Sequence, residues 1–591
     1  MIEYGPLESE RSAMQAPERR KNHICQQRIS ISVSLLFLVV LASALWFVPE
    51  FFDTHRENPH HEPLAKTRNG TFAGTHNFRF DQDIFLGMPY AQAPIGDLRF
   101  HYPRSINVSW NHIQPALEYG PHCIGYGDHQ EQFKKSEDCL TLNVVRPSSY
   151  KQGLLPVGVF IYGGGRHGGG SGDGRYNLSY LISHAAEENL SFIGVSFNYR
   201  SSIWGFISGD QIKGTRNTNL GLHDQRLALH WVQENIEAFG GDKSRVTIWG
   251  GSSGADSVGL HLTAYGGRDD GLFRAAIMQS GGPIVKTSYS SFTPEEMYQR
   301  LSVASNCKDV ENSLECLRHI PLNDIDAAFN DSAQANSQMM ASFAIPTLDG
   351  NFVEGYGSLA ITERRYVPVP ILSGIVSSEA ATWIPPQIST WKDLAIFLTE
   401  DSGYPSSVSE RLLSYYPESG VAETLEPPIG SISDKDTFER VKTVIGDIEM
   451  NAAQRLVCES FSTSATCFNF IFNATPAWQR DSRVGVPHGA EIAPIFQNLD
   501  GLGFDGNSFH GKGPGYYEMS SLMGTMWAGF ITTLDPNAGL KQGVYNWPKY
   551  ESVNRDTLVF DEVNVGLTIQ DTYRADALRY ISENFAGVFD K

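Results

Sequence analysis

Basic residues are scarce in this chain: 46 Lys and Arg stand against 66 Asp and Glu in 591 residues, a formal net charge of −20. Nucleic acid demands a positive face to neutralise its phosphates, so nucleic-acid binding is excluded and polyanionic substrates are disfavoured. Cysteine is scarce too. The seven cysteines include no C-x2-C pair, which argues against a zinc site. The stretch Gly163 to Gly174 holds no G-K-[ST], and no G-x-G-x-x-G leading into a clear helix with an acidic partner, so a phosphate-binding loop is excluded. No internal repeat or long low-complexity tract is present. What is present, 41% hydrophobic and 11% aromatic residues, suffices to bury a large core.

One pentapeptide stands out, Gly250-Gly251-Ser252-Ser253-Gly254, a G-x-S-x-G pattern. The β-prone run Arg245 to Trp249 precedes it, and Gly254 to Leu262 reads as the opening of a helix. A strand–turn–helix of this kind lifts a serine above a sheet, at the positive end of a helix dipole. A serine hydroxyl needs a base to take its proton, and the base needs a carboxylate to fix its tautomer. In α/β-hydrolases the acid and then the histidine follow the serine in the chain. Only His488 and His510 lie beyond Glu379. His488 sits in a Gly/Pro loop where an imidazole can point into a cleft; His510 lies in a glycine-rich stretch with no strand just before it. Glu379 follows a buried-looking strand, but many other carboxylates lie between serine and histidine, so pattern alone leaves the acid open. The glycine run Gly163-Gly164-Gly165 follows the strand-like Val157 to Tyr162, and could turn its backbone N–H groups towards an oxyanion together with Ser253 N–H. Alternating strand and helix signals from Val157 onward predict an α/β fold, with a central, mostly parallel sheet covered by helices on both faces.

Longer motifs carry a resemblance from about Asp83 to the C-terminus. Phe85 to Ala91 with Pro94 to Phe100, Ser136 to Val144, and Asn219 to Gln225 with Ala228 to Val232 and Asn235 to Asp242 resemble signatures of the type-B carboxylesterase/lipase family, which has the α/β-hydrolase fold. The resemblance implies Ser252 as nucleophile, Glu379 as acid and His488 as base. It implies Gly164, Gly165 and Ser253 as oxyanion donors, Ser280 as a supporting serine, and Arg99 with Glu137 as a buried structural ion pair. The chain departs from the family's pattern in three places. Gly251 replaces the glutamate by which cholinesterases favour cationic substrates. Arg166 stands where an aromatic residue is frequent, and is expected either to line the pocket mouth or to be a surface arginine paired with an acid. Ala380 replaces the glycine after the acid.

Six cysteines fall in close pairs, Cys123 with Cys139, Cys307 with Cys316 and Cys458 with Cys467. Spacing alone leaves about 15 connectivities. The first two pairs resemble the family's bridges; the third is inferred from proximity. The 15 residues between Cys123 and Cys139 contain no Trp, and Tyr126 and Phe133 are their only aromatics. A loop this short and charged is a poor lipase lid, and it lacks the tryptophan that stacks on choline in cholinesterases. The expected activity is therefore hydrolysis of neutral carboxylic esters, with no metal or organic cofactor. A catalytically silent adhesion ectodomain and a lipase or transacylase are the alternatives.

The N-terminus adds a membrane signal. Ile29 to Val48 gives 20 residues without charge, about 30 Å as a helix and long enough to span a bilayer. Basic Arg19, Arg20, Lys21 and Arg28 precede it and acidic Glu50 and Asp53 follow, which places residues 1–28 in the cytosol. The predicted organisation is a cytosolic tail, a transmembrane signal anchor over 29–48, a polar stalk over 49–66 and a hydrolase domain over 67–591 in the extracellular or luminal space. Secretion after signal cleavage near Ala44 is the alternative. Cys25, just inside the membrane, is open to palmitoylation, with the unmodified thiol as the default. Sequons at Asn69, Asn107, Asn177, Asn189, Asn330 and Asn473 are available for glycosylation. The sequence leaves the oligomeric state open.

Overall fold

The computed structural model describes residues 62–149, 153–285, 293–333, 345–385, 388–416, 437–541 and 543–589. The apolar run Ile29 to Val48, the leader with Cys25 and the stalk as far as residue 61 lie outside the described residues. Among the described residues, no helix is long and apolar enough to cross a membrane. The end of the predicted stalk is part of the fold. Leu64–Lys66 pairs antiparallel with Thr71–Ala73, so the compact unit starts at Glu62 and not at residue 67. Only Ala65 of that strand is buried, the two-residue alternation of an edge segment.

Eleven strands build the main sheet: β1 (Thr75–Asn77), β2 (Gln82–Pro89), β3 (Thr141–Pro147), β4 (Leu155–Ile161), β5 (Ile193–Phe197), β6 (Gly241–Gly251), β7 (Ala275–Gln279), β8 (Ile371–Val376), β9 (Cys467–Phe472), β10 (Asp556–Phe560) and β11 (Leu567–Gln570). Their order across the sheet is β11-β10-β9-β8-β7-β6-β4-β5-β3-β2-β1. The strands from β10 to β5 all run parallel. Antiparallel partners flank them, β11 at one edge and β3, β2 and β1 at the other. The sheet is thus mixed, with its parallel part at the centre. β4, β5, β7, β8 and β9 are buried at every position. A strand apolar along its whole length needs cover on both faces, which helices supply. One of them, Pro514–Thr533, lays Ile531 against Gly158 of β4.

Parallel strands deliver all their C-terminal ends to one rim of the sheet, where ligands bind in such folds. Here that rim carries Gly163 after β4, Ser252 after β6, Ser280 after β7, Glu379 after β8 and His488 beyond β9. Bridges join Cys123 to Cys139, Cys307 to Cys316 and Cys458 to Cys467. Arg99 meets Glu137 through two parallel bonds of 2.6 and 2.7 Å, and its Nη1 also donates to Ile320 O at 2.6 Å. Of the sequons, Asn107 and Asn189 are exposed, whereas Asn177 caps a helix through Ser179 N–H and Asn473 donates to Asp561. The side chain of Asn330 lies outside the described residues.

A buried pair ties the sheet to the helix that leads towards β6. Just past β5, Arg200 gives Asp224, on the helix Leu220–Asn235, its backbone N–H at 3.0 Å, Nε at 2.8 Å and Nη2 at 2.7 Å. Breaking it from one side leaves an uncompensated charge in the core. Asp224→Ala is therefore expected to lower unfolding stability by about 3–5 kcal/mol, read as a shifted denaturant midpoint. Replacing both partners with apolar residues of similar volume should recover most of that loss.

Candidate active site

Strand β6 stops at Gly251 and the next helix starts at Ser253, leaving Ser252 between them at φ 57° and ψ −133°. Such backbone is strained for a residue with a side chain and persists only where its surroundings over-determine it. Ser252 N–H donates to Gln279 O at 2.8 Å, and Ser252 O accepts from Asp256 N–H at 3.0 Å. The helix approaches β4 so closely that a Cβ on Gly254 would fall 2.1 Å from Ile161 O. The turn therefore raises Ser252 over the rim, at the start of a helix.

Ser252 lines a cavity of about 1130 Å³ together with His488 and Gly163, Gly164 and Gly165. A Cβ on Gly163 would stand 3.0 Å from Ser252 Cβ, so this loop touches the serine. Gly164 and Gly165 have φ of 110° and 62°, open to glycine without strain. Ser253 is the first residue of the helix. Glu379 is buried; its Oε2 lies 2.6 Å from His488 Nδ1, and its Oε1 accepts from Val376 N–H at 2.9 Å. A carboxylate at Nδ1 assigns the ring proton there and leaves Nε2 as the acceptor. Among the described residues, no hydrogen bond joins Ser252 Oγ to His488, though both line the one cavity. His510 lines it too, but the carboxylate is joined to His488. Trp383 sets its ring edge-on to His488, with centroids 4.8 Å apart. Ser280 lies beneath the elbow with its N–H on Gly374 O at 2.8 Å; its hydroxyl is buried and has no hydrogen-bond partner among the described residues.

Two features differ from the sequence reading or extend it. Arg166 is paired with an acid, as one of its two readings expected, but it is at neither the pocket mouth nor the surface. It is buried, with Nη1 2.8 Å from Asp256 Oδ2, because its backbone continues the glycine loop inward and donates to Ser253 Oγ at 3.1 Å. The second is Glu491, which lines the cavity although sequence reasoning passed over it. Its Oε1 accepts from Gln279 Nε2 at 3.4 Å, and its Oε2 is buried without a partner among the described residues. Burial, with the Glu379 charge assisting, pushes its carboxyl up to about 7, against the pull of His488. For His488, burial alone would depress the imidazole. The charge and hydrogen bond of Glu379, then the charges of Glu491 and Asp256, outweigh burial and raise it. The available signal was a lone acid in the apolar run Ala490-Glu491-Ile492-Ala493, three residues after His488.

The loop between Cys123 and Cys139 forms part of the wall through Tyr126, Gly127, His129 and Gln130. Tyr126 OH donates to Asp326 at 2.8 Å and accepts from Trp204 Nε1 at 3.2 Å, so the loop is pinned at its aromatic residue. Among the described residues, no group of three or more His, Cys, Asp or Glu side chains is placed to hold a metal ion.

The sequence model of the carboxylesterase family matches residues 61–581. Lipase 4 of Diutina rugosa is 30% identical over 87% of this chain and 94% of its own length. A secreted lipase of Arthroderma benhamiae is 30% identical over 84% of this chain and 88% of its own. Among solved structures, Aspergillus niger EstA superposes with a TM-score of 0.75 at 26% identity, covering 88% of this chain and 98% of that one.

The geometry around His488 has a measurable consequence. With His488 as the general base proposed below, turnover needs its neutral imidazole, whereas the Glu491 charge favours the imidazolium. In Glu491→Gln that charge is gone, so the acid limb of the kcat/KM profile should move to lower pH. An acid limb that stays in place would show that Glu491 carries no charge when His488 titrates.

Proposed function

The chain belongs to the carboxylesterase family, and from that membership we propose that it hydrolyses neutral carboxylic esters through an acyl-enzyme on Ser252. It is a carboxylic ester hydrolase by family. The observation that carries the mechanism is the 2.6 Å contact between His488 Nδ1 and buried Glu379, in the cavity that Ser252 lines. His488 Nε2 takes the Ser252 proton as Oγ attacks the ester carbonyl. The N–H groups of Gly164, Gly165 and Ser253 receive the developing oxyanion, and Glu379 stabilises the imidazolium. His488 then hands the proton to the leaving alcohol, and water releases the acid by the same steps.

The pinned, disulfide-closed loop supports an esterase over an enzyme whose lid opens on a lipid surface. One observation favours a second reading. The cavity is larger than the roughly 300–1,000 Å³ of common ligand pockets, at about 1130 Å³, and the fungal relatives are named lipases. Long acyl chains therefore belong in the test. The relatives named as secreted, together with three disulfides, support passage through an oxidising secretory route. Ile29 to Val48 is then the targeting segment, kept as an anchor or removed near Ala44; the N-terminal sequence of the mature protein distinguishes the two.

The full chain should hydrolyse p-nitrophenyl esters from acetate to palmitate with a short-chain optimum, and Ser252→Ala should lower kcat by on the order of 10⁶-fold. A long-chain optimum would replace the esterase with a lipase. A folded wild type as silent as the variant throughout would leave a binding role.

A further inference from the structure

An oxyanion hole makes two opposed demands on a loop: its N–H groups must stay free for substrate, yet their position must be fixed. Among the described residues, Gly164 and Gly165 N–H donate to no backbone carbonyl. The loop is therefore held through its other groups. His167 N–H closes the turn on Gly164 O at 3.1 Å, and His167 O accepts from Tyr126 N–H at 3.0 Å. Arg166 adds both of its backbone groups: its N–H donates to Ser253 Oγ at 3.1 Å, and its O accepts from Ser202 N–H at 2.7 Å.

Arg166 has φ 59°, a left-handed backbone that glycine would hold without strain. A residue with a side chain persists there only where its surroundings over-determine it. This side chain is buried, with Nη1 2.8 Å from Asp256 Oδ2. Asp256 stands on the helix Ser253–Gly267, one turn beyond Ser252. Its Oδ1 accepts from Gly282 N–H at 3.2 Å, and a Cβ on Gly281 would fall 2.7 Å from that oxygen and 2.6 Å from Ser252 O. One carboxylate thus joins the segments that follow β4, β6 and β7. A buried ion pair is a weak source of net stability, because desolvation offsets its attraction. It does supply direction, since two charges at fixed range admit one register of loop on helix.

We propose that the Arg166–Asp256 pair is the clamp that sets the distance from the Gly164 and Gly165 N–H groups to Ser252, which makes Arg166 and Asp256 positioning residues for ester hydrolysis. The proposal rests on the reading of Ser252 as the acylated residue with these glycines as oxyanion donors. Negative charge builds on the carbonyl oxygen only in the transition state, so a displaced loop lowers kcat and leaves KM nearly unchanged. A misplacement of about 1 Å at such a site costs on the order of 10²-fold.

The test measures hydrolysis of p-nitrophenyl hexanoate by the full chain, and the inhibition constant of pentyl trifluoromethyl ketone. Ser252 Oγ adds to the ketone carbonyl, His488 takes the proton, and the carbonyl oxygen is left as an anion held by the same donors. The variants are Arg166→Lys, which keeps the charge, Arg166→Met, Asp256→Asn, and the last two combined. Asp256 also acts on the charge of His488, so rates are compared on the alkaline plateau, where a moved acid limb has no effect. Arg166→Met should lower kcat by on the order of 10²-fold with KM within about twofold, and Arg166→Lys should recover part of that loss. The combined variant should be no slower than the slower single one, as for two residues that act as a unit. The inhibition constant of the ketone should rise by the factor by which kcat/KM falls. If the single variants do not fold, two others decide: the combined variant, which removes both charges, and Ser253→Ala, which removes only the hydroxyl that accepts Arg166 N–H. An unchanged kcat, a loss carried by KM, or a fall in kcat that leaves the ketone's affinity in place overturns the clamp alone. A wild type that neither hydrolyses the ester nor binds the ketone overturns the hydrolase reading, and the clamp with it.

Discussion

Close backbone approach around Ser252 is the constraint on which the rest of this molecule depends. The serine holds a left-handed φ because four glycines let neighbouring segments come nearer than any Cβ permits. Gly163 stands against Ser252 Cβ and Gly254 against Ile161 O; Gly250 stands against Gly254, and Gly281 against Ser252 O. Each glycine costs conformational entropy on folding, and the fold offsets it through burial of the strands that these segments adjoin. Because β4, β6 and β7 are locked side by side in parallel register, the glycine loop, Ser252 and the Gln279–Ser280 segment are placed by one sheet rather than by three independent loops. Positioning on rigid elements of this kind is what lets a site hold its geometry without ligand.

The second ordering influence is charge. Glu379, Glu491 and Asp256 all act on His488 in the direction that favours imidazolium, and together they overcome its burial. Only Asp256 has a guanidinium partner, Arg166, which also anchors the end of the glycine loop. The arrangement is asymmetric. Glu379 is bonded to both the imidazole and Val376 N–H, whereas Glu491 keeps one oxygen unpaired and has its carboxyl pushed up to about 7. One acid thus sets the tautomer, while the other alters the field on the ring as the solution passes through neutrality. Both carboxylates come from sheet-rim loops, and neither needs a motion of the backbone to act.

How much of this was legible in the sequence follows the range of the interaction. The elbow is local: a β-prone run, a G-x-S-x-G and a helix start are contiguous, so Ser252 stands out by pattern. His488 emerged because only one other histidine lies beyond Glu379. Glu379 itself was legible by family resemblance alone, since nothing within a few residues distinguishes it from other acids. Long-range features were beyond reach. Arg166 was read as a mouth residue or as a surface arginine paired with an acid; the pairing holds, but its burial was out of reach because the partner, Asp256, is 90 positions away in the chain. Glu491 was passed over because its burial depends on Gln279 in another strand. The central, mostly parallel sheet was legible from the strand–helix alternation, whereas its antiparallel edge strands lie outside that alternation: β1, β2 and β3 precede it, and β11 follows it. The stalk boundary failed for a similar reason, since a three-residue strand with one buried side chain leaves almost no periodic signal.

The field in the cavity bears on the ester it accepts. At Gly251, beside Ser252, a Cβ would lie 3.1 Å from Ile492 Cδ1, so apolar surface rather than a carboxylate faces that position. Glu491, three residues after His488, has its carboxyl pushed up to about 7 by burial. Arg175, held by Asp173, and Arg480 stand on the lining with Asp505 among the other charges. The sum favours neither a quaternary ammonium nor a strongly anionic alcohol. Trp383, Trp478, Tyr176 and Phe504 on the same lining offer apolar surface to either side of an ester. A neutral substrate gains from that burial without giving up the solvation of a charge, and on this balance the proposed specificity rests.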